Sequence, residues 1–195
     1  MRSLKVSALT IAATALFAFS AAAADGPGVS YGQKISEADV KALDIDVSTS
    51  TGAGLPAGSG TVADGAKIYA EKCVACHGEG ANGGSMYGPM HGGIGSFVTP
   101  KRKLTPGSMY PYAPILFDYI RRAMPMDSPQ SLNDNEVYAL TAYIYSLNGL
   151  VKEDAVLDAK SLAAIKMPNK DGFVVDDRPD VKAVRCMADC TKIKP

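Results

Sequence analysis

Two cysteines and a histidine stand together in the segment Cys73-Val74-Ala75-Cys76-His77, and this feature constrains the fold most strongly. The segment has the pattern C-x-x-C-H, in which two thiols add across the two vinyl groups of a haem. The adjacent histidine then lies under the iron as its proximal ligand. A bare C-x-x-C also occurs in redox dithiols and in half of a zinc site, but the immediate histidine favours haem. We therefore predict one covalently bound haem c, attached by Cys73 and Cys76 and ligated by His77.

Residues 1–24 have the features of a secretory signal peptide. Arg2 and Lys5 supply a positive start, an apolar run follows at 6–19, and residues 22–24 are alanines. The alternative is an uncleaved membrane anchor, but the run is short for a full span. We expect cleavage, export to the periplasm, and no membrane span once the signal has been removed.

The charge balance indicates no nucleic-acid partner. The chain has 20 basic and 20 acidic residues, and loss of residues 1–24 removes Arg2 and Lys5 but no acid. The remainder is slightly acidic and has no long basic run of the kind that binds phosphates.

The remaining sequence divides by composition into three parts. An N-terminal extension (25–60) is polar, with one short helix predicted at 36–43. A core (61–149) has the strongest helical periodicity, and a polar C-terminal extension (150–195) is interrupted by Pro and Gly. No segment shows a strand pattern of comparable strength, so we predict an all-α fold.

Capping residues and apolar spacing predict three helices in the core. The first begins near Thr61, with Asp64 as the capping partner. The second spans roughly 114–123, with a proline in its first turn. The last begins after Asn133, and Glu136 can reach back to that cap.

Two of these helices are predicted to cross beside the cysteine motif. Gly65, Tyr69 and Cys73 are spaced by four, which places them on one face of the first helix. A glycine on that face lets another helix come close. Tyr143, on the last helix, is the expected aromatic partner of Tyr69.

A second pair of cysteines, Cys186 and Cys190, stands near the end of the chain without a histidine. In an oxidising compartment this pair favours a disulfide. A metal site would need more ligands than the tail offers.

The core resembles a class I cytochrome c. The resemblance depends on the Gly65/Tyr69/Cys73 spacing, the C-x-x-C-H motif, Gly88-Pro89 with Gly92, and the helical segment Ala142-Tyr143-Ile144. It implies the class I cytochrome c fold around one haem. It also implies that the carbonyl of Pro89 accepts a hydrogen bond from His77, which would fix the ring and raise its basicity.

The sixth ligand of the iron is expected to be a methionine. In the family this methionine usually precedes a proline, which favours Met124 in Met124-Pro125-Met126. Met126 is the alternative, and His91 is disfavoured because it lies in the proximal loop close to Pro89. The other methionines are interpreted as core residues.

The chain contains no Trp, so the haem propionates need other hydrogen-bond donors. Tyr112 and Arg121 are the predicted donors, with Tyr110 and Arg122 as further candidates. The two arginines could instead form a solvated charged surface.

The flanks resemble the cytochrome subunit of bacterial molybdenum-containing sulfite or sulfur dehydrogenases. The segments that carry this resemblance lie in both extensions and beside the predicted methionine ligand: 45–47, 54–60, 119–125, 129–132, 167–169, 171–173 and 185–190. Some members carry a second haem domain, whereas this chain has one C-x-x-C-H motif.

The resemblance implies a monohaem protein that transfers single electrons. Its expected donor is the molybdenum-containing dehydrogenase subunit, and its expected acceptor is a downstream cytochrome or oxidase. The extensions would then bind this partner. The alternative is that they only shield the haem from solvent. Two alternatives remain: a haem enzyme that acts directly on a sulfur compound, and a general soluble periplasmic electron carrier.

Overall fold

A computed structural model describes residues 32–176. These residues fall into two units that divide after residue 43. The described part of the first unit contains a short helix, α1 (Glu37–Leu43). Its cap is the predicted one, because Ser36 Oγ accepts the backbone N–H of Asp39 at 3.1 Å.

Two predictions concern residues outside this range. The signal peptide (1–24) and the Cys186–Cys190 disulfide lie there and stay predictions. Within residues 32–176, no helix is long and apolar enough to cross a membrane. The same residues contain no group of three or more His, Cys, Asp or Glu side chains that could hold a metal ion.

The second unit is helical, with one short antiparallel pair of strands. Its elements are β1 (Ser59–Thr61), α2 (Val62–Lys72), α3 (Val74–His77), a 3₁₀ turn (Glu79–Ala81), α4 (Pro106–Met109), α5 (Pro114–Ala123), α6 (Asp134–Leu147), β2 (Val156–Asp158) and α7 (Ala159–Ala163). The predicted helical fold is confirmed. The strands pair Gly60 with Leu157, and at three residues each they are too short to show an alternating pattern in the sequence.

The three core helices begin where they were predicted, and α2 and α6 begin at the predicted caps. Thr61 Oγ1 accepts the N–H of Asp64 at 3.0 Å and so starts α2. At α6, Asn133 Oδ1 accepts the N–H of Glu136 at 3.0 Å, and the Glu136 carboxylate accepts the N–H of Asn133 at 2.9 Å. Each such cap is worth about 1 kcal/mol. Pro114 lies in the first turn of α5.

Helices α2 and α6 cross at close range, as predicted. Gly65 packs directly against the backbone carbonyl of Ala139. One turn further along, the rings of Tyr69 and Tyr143 meet with centroids 5.3 Å apart. This crossing fixes the carboxyl end of α2, from which the cysteine motif continues.

Residues on both sides of the core pack onto it. Leu157, Leu162 and Met167, from the segment after 150, are buried in the same hydrophobic cluster as α6. From the segment before 60, the carbonyl of Pro56 accepts a hydrogen bond from the Tyr138 hydroxyl at 2.8 Å. The predicted boundaries at 60/61 and 149/150 stay predictions.

Candidate functional site

The cysteine motif lines an apolar cavity of about 290 Å³, which is near the lower end of the usual range for ligand pockets. Cys73, Cys76 and His77 all contribute to its wall. The other lining residues are mainly aromatic, aliphatic or sulfur-containing: Tyr69, Ala75, Met86, Tyr87, Met90, Ile120, Met124, Pro125, Met126, Leu132, Leu140 and Ile144. The structure therefore brings the predicted thiols, imidazole and methionines to one cavity.

A short helical turn presents the two thiols and the imidazole. The N–H of Cys73 bonds to the carbonyl of Tyr69 at 2.9 Å, which ties the motif to the end of α2. The N–H of His77 bonds to the carbonyl of Cys73 at 3.0 Å. Gly78, with φ of +74°, ends the turn, and its carbonyl accepts a hydrogen bond from the Tyr69 hydroxyl at 2.8 Å.

Burial shifts the pKa values of the Cys73 thiol and the His77 imidazole towards their uncharged forms. It raises the pKa of the Cys73 thiol to about 11. It also lowers the pKa of His77, which favours the neutral imidazole. A neutral imidazole has the free nitrogen lone pair that a metal ligand requires.

The His77 ring contains a buried Nδ1 without a hydrogen-bond partner among the described residues. In this structure Nδ1 makes no bond to the carbonyl of Pro89, and the role of Pro89 as partner of His77 stays a prediction. The chain after Pro89 is held elsewhere, because the N–H of Met90 bonds to the carbonyl of Ala81 at 2.9 Å. An unpartnered buried polar atom costs about 1–3 kcal/mol. The His77 imidazole, next to two thiols in an apolar cavity, fits a haem.

The two methionine candidates differ in exposure. Met124 ends α5, with its N–H bonded to the carbonyl of Ile120 at 3.0 Å, and it is partly buried against the core. Met126 is 59% exposed. His91 is not among the lining residues of the cavity, and its Nε2 lies 3.1 Å from Asn82 Oδ1. Burial thus favours Met124, and the assignment stays a prediction.

Neither Tyr112 nor Arg121 lines the cavity. Arg121 is held elsewhere: its Nε lies 3.1 Å from Asp134 Oδ1, and its Nη1 donates to the carbonyl of Ile45 at 3.4 Å. Their role as donors to haem propionates stays a prediction. A cation that does line the cavity is Lys72, which is paired with Glu136 at 2.9 Å.

Asn148 caps the carboxyl end of α6, and its side chain also holds the loop that forms one wall of the cavity. Its side-chain amide donates to the carbonyl of Met90 at 3.0 Å and to that of Ile144 at 2.8 Å. Its Oδ1 accepts the N–H of Gly92 at 3.2 Å. The loop that carries Met90 is thereby tied to α6.

Asn148→Ala is expected to destabilise the protein by about 2–4 kcal/mol, because several buried groups lose their partners. The free energy of unfolding in urea measures this. The matched control is Asn169→Ala, which removes one bond, to the carbonyl of Met109 at 2.9 Å, and should cost about 1 kcal/mol. Equal losses in the two variants would contradict the role of Asn148.

A helical fold that brings a C-x-x-C-H motif and a methionine to one apolar cavity defines a class I c-type cytochrome. Residues 60–144 match the family model described as cytochrome c oxidase, cbb3-type, subunit III. A chain in the crystal structure of the sulfane dehydrogenase SoxCD from Paracoccus pantotrophus is 36% identical, with a TM-score of 0.70. The match covers 85% of this chain and 82% of that one.

The chain belongs to the family of c-type cytochromes that includes the matched SoxCD chain. The predicted class I cytochrome c fold is confirmed, and so is the predicted cofactor, one covalently bound haem c.

Proposed function

We propose that this protein transfers single electrons through a haem attached by Cys73 and Cys76. His77 is the proximal ligand and Met124 the sixth. The observation that carries the proposal is that all four side chains line one cavity. When bound, the haem supplies the one-electron redox couple between ferric and ferrous iron. The chain would hold it covalently through Cys73 and Cys76, bind its iron through His77 and Met124, and surround it with apolar side chains.

The ligand pair favours electron transfer over catalysis at the iron. A His/Met pair raises the reduction potential relative to two nitrogen ligands. It also leaves no open position on the iron for a sulfur compound. The alternative of a haem enzyme would require a weak or displaced sixth ligand.

We infer further that the donor is the molybdenum-containing subunit of a sulfite or sulfur dehydrogenase, and that the acceptor is a downstream cytochrome or oxidase, in the periplasm. The 36% identity to a sulfane dehydrogenase chain extends over 85% of this sequence and so includes much of the extensions. Sulfite oxidation at molybdenum releases two electrons, which a one-electron carrier must accept in turn.

Mild purification from the native source tests the partner. Metal analysis and mass spectrometry of the co-purifying material should find molybdenum and a second subunit. A tightly monomeric cytochrome without molybdenum would contradict the proposal and favour a general soluble carrier.

Met124→Ala should abolish the weak far-red absorption band of ferric haem that reports a methionine–iron bond. It should also lower the reduction potential, because the soft ligand is lost. Met126→Ala is the matched control, only two residues away, and should retain the band. If Met126→Ala loses the band and Met124→Ala keeps it, the ligand assignment is reversed.

A further inference from the structure

Tyr87 lies beside the predicted proximal ligand and has no role in the function proposed above. Its ring is stacked on the His77 imidazole, with centroids 5.2 Å apart and an angle of 28° between the planes. Its hydroxyl donates to the Sδ atom of Met126 at 3.5 Å. One side chain therefore contacts the cysteine motif and the methionine segment at once.

The backbone places Tyr87 there. The N–H of Gly83 bonds to the carbonyl of His77 at 3.0 Å, and the N–H of Gly84 bonds to the carbonyl of Tyr87 at 2.9 Å. Two successive residues thus connect His77 and Tyr87 through short hydrogen bonds. Tyr87 is 37% exposed and also lines the cavity, so its ring stands between the interior of the site and solvent.

The stack matters because the His77 ring lacks the usual restraint. A ligating imidazole almost always donates its second N–H to a carbonyl or carboxylate, which fixes the ring plane. Here Nδ1 has no hydrogen-bond partner among the described residues. The face of Tyr87 lies against the imidazole and opposes its rotation.

We infer that Tyr87 is a positioning residue. It sets the plane of the His77 ring by stacking, and it couples that plane to the methionine segment through its bond to Met126. The inference rests on the proposed ligation of iron by His77. A tyrosine suits both tasks, since its ring offers a flat face and its hydroxyl reaches a thioether, which is a weak acceptor.

Three substitutions in the holoprotein separate these tasks. Tyr87→Leu removes the ring and the hydroxyl, Tyr87→Phe removes the hydroxyl alone, and Met126→Leu removes the acceptor. The readout is the pattern of hyperfine-shifted haem methyl resonances of the ferric protein, which reports the orientation of the histidine plane. The matched control is Tyr119→Leu, since Tyr119 is 51% exposed and does not line the cavity.

Tyr87→Leu should change the methyl pattern and lower the reduction potential, because water gains access to the site and favours the ferric state. Tyr87→Phe and Met126→Leu should each change the methyl pattern by the same smaller amount. The double variant Tyr87→Phe/Met126→Leu should change it no further, because the two residues act through one bond. A native methyl pattern in Tyr87→Leu would overturn the inference, as would equal changes in Tyr87→Leu and Tyr87→Phe.

If the Tyr87→Leu variant does not incorporate haem, the native protein provides a second, independent test of the inference. In the reduced, diamagnetic state, nuclear Overhauser contacts between the ring protons of Tyr87 and His77 are expected, and their absence would overturn the inference. If the native haem lacks histidine ligation altogether, the proposed function fails instead, and the spectrum of the native protein reveals this before any variant is made.

Discussion

Replacing Cys73 and Cys76 together with alanine should leave the chain without covalently bound haem and without a cooperative unfolding transition. The physical reason is that the haem would no longer cover the apolar side chains that line the cavity, so that they would face water. Apolar surface exposed to water costs about 25 cal/mol per Å². A typical domain has a total stability of only about 5–15 kcal/mol.

The measurement combines mass spectrometry, which reports covalent haem, with urea unfolding followed by circular dichroism. The single variant Cys73→Ala is the control, because one thioether to Cys76 can still hold the haem. It should keep a covalent haem and an intermediate stability. Covalent haem or a native unfolding transition in the double variant would contradict the proposed attachment.

Much of the fold could be predicted because its signals are local in sequence. The caps at Thr61 and Asn133 are formed with residues three positions away, and the structure shows both. The C-x-x-C-H motif is likewise local and has a specific chemical meaning. The Tyr69–Tyr143 contact connects distant residues, but each lies on a helix whose apolar face was already predicted.

The parts that could not be predicted depend on partners far away in sequence. Arg121 lies at the end of a helix near the methionines, which suggested a contact with haem. Its side chain is held by Asp134 and by the carbonyl of Ile45, which is 76 positions away, and its contact with haem stays a prediction. Asn148 has the ordinary signature of a helix end, and nothing local indicates that it bonds to Met90, 58 positions earlier.

The same limit applies to Tyr87. A tyrosine in a glycine-rich loop gives no sign of where its ring lies, because glycines permit many loop conformations. The hydrogen bonds of Gly83 and Gly84 select one of these conformations and bring the ring to His77. Loop conformation, unlike helix position, thus had to come from the structure.

Gly65→Ala is expected to destabilise the protein by about 3 kcal/mol, at the upper end of the cost of overpacking a core. A Cβ atom at this position would collide with the backbone carbonyl of Ala139 and lie 2.8 Å from the Cβ of Tyr143. A backbone atom cannot turn away as a flexible side chain can, so α2 and α6 must separate. That movement displaces Tyr69 and, with it, the start of the cysteine motif.

The higher helix propensity of alanine opposes this effect by only about 1 kcal/mol. The collision is the larger effect, so the substitution should destabilise the protein. Ala70→Gly is the control, because Ala70 is exposed on the same helix and should lose about 1 kcal/mol through propensity alone. Urea unfolding of the holoprotein measures both variants. A Gly65→Ala protein as stable as the native one would show that the helices tolerate a wider crossing, and that Gly65 is not what sets their separation.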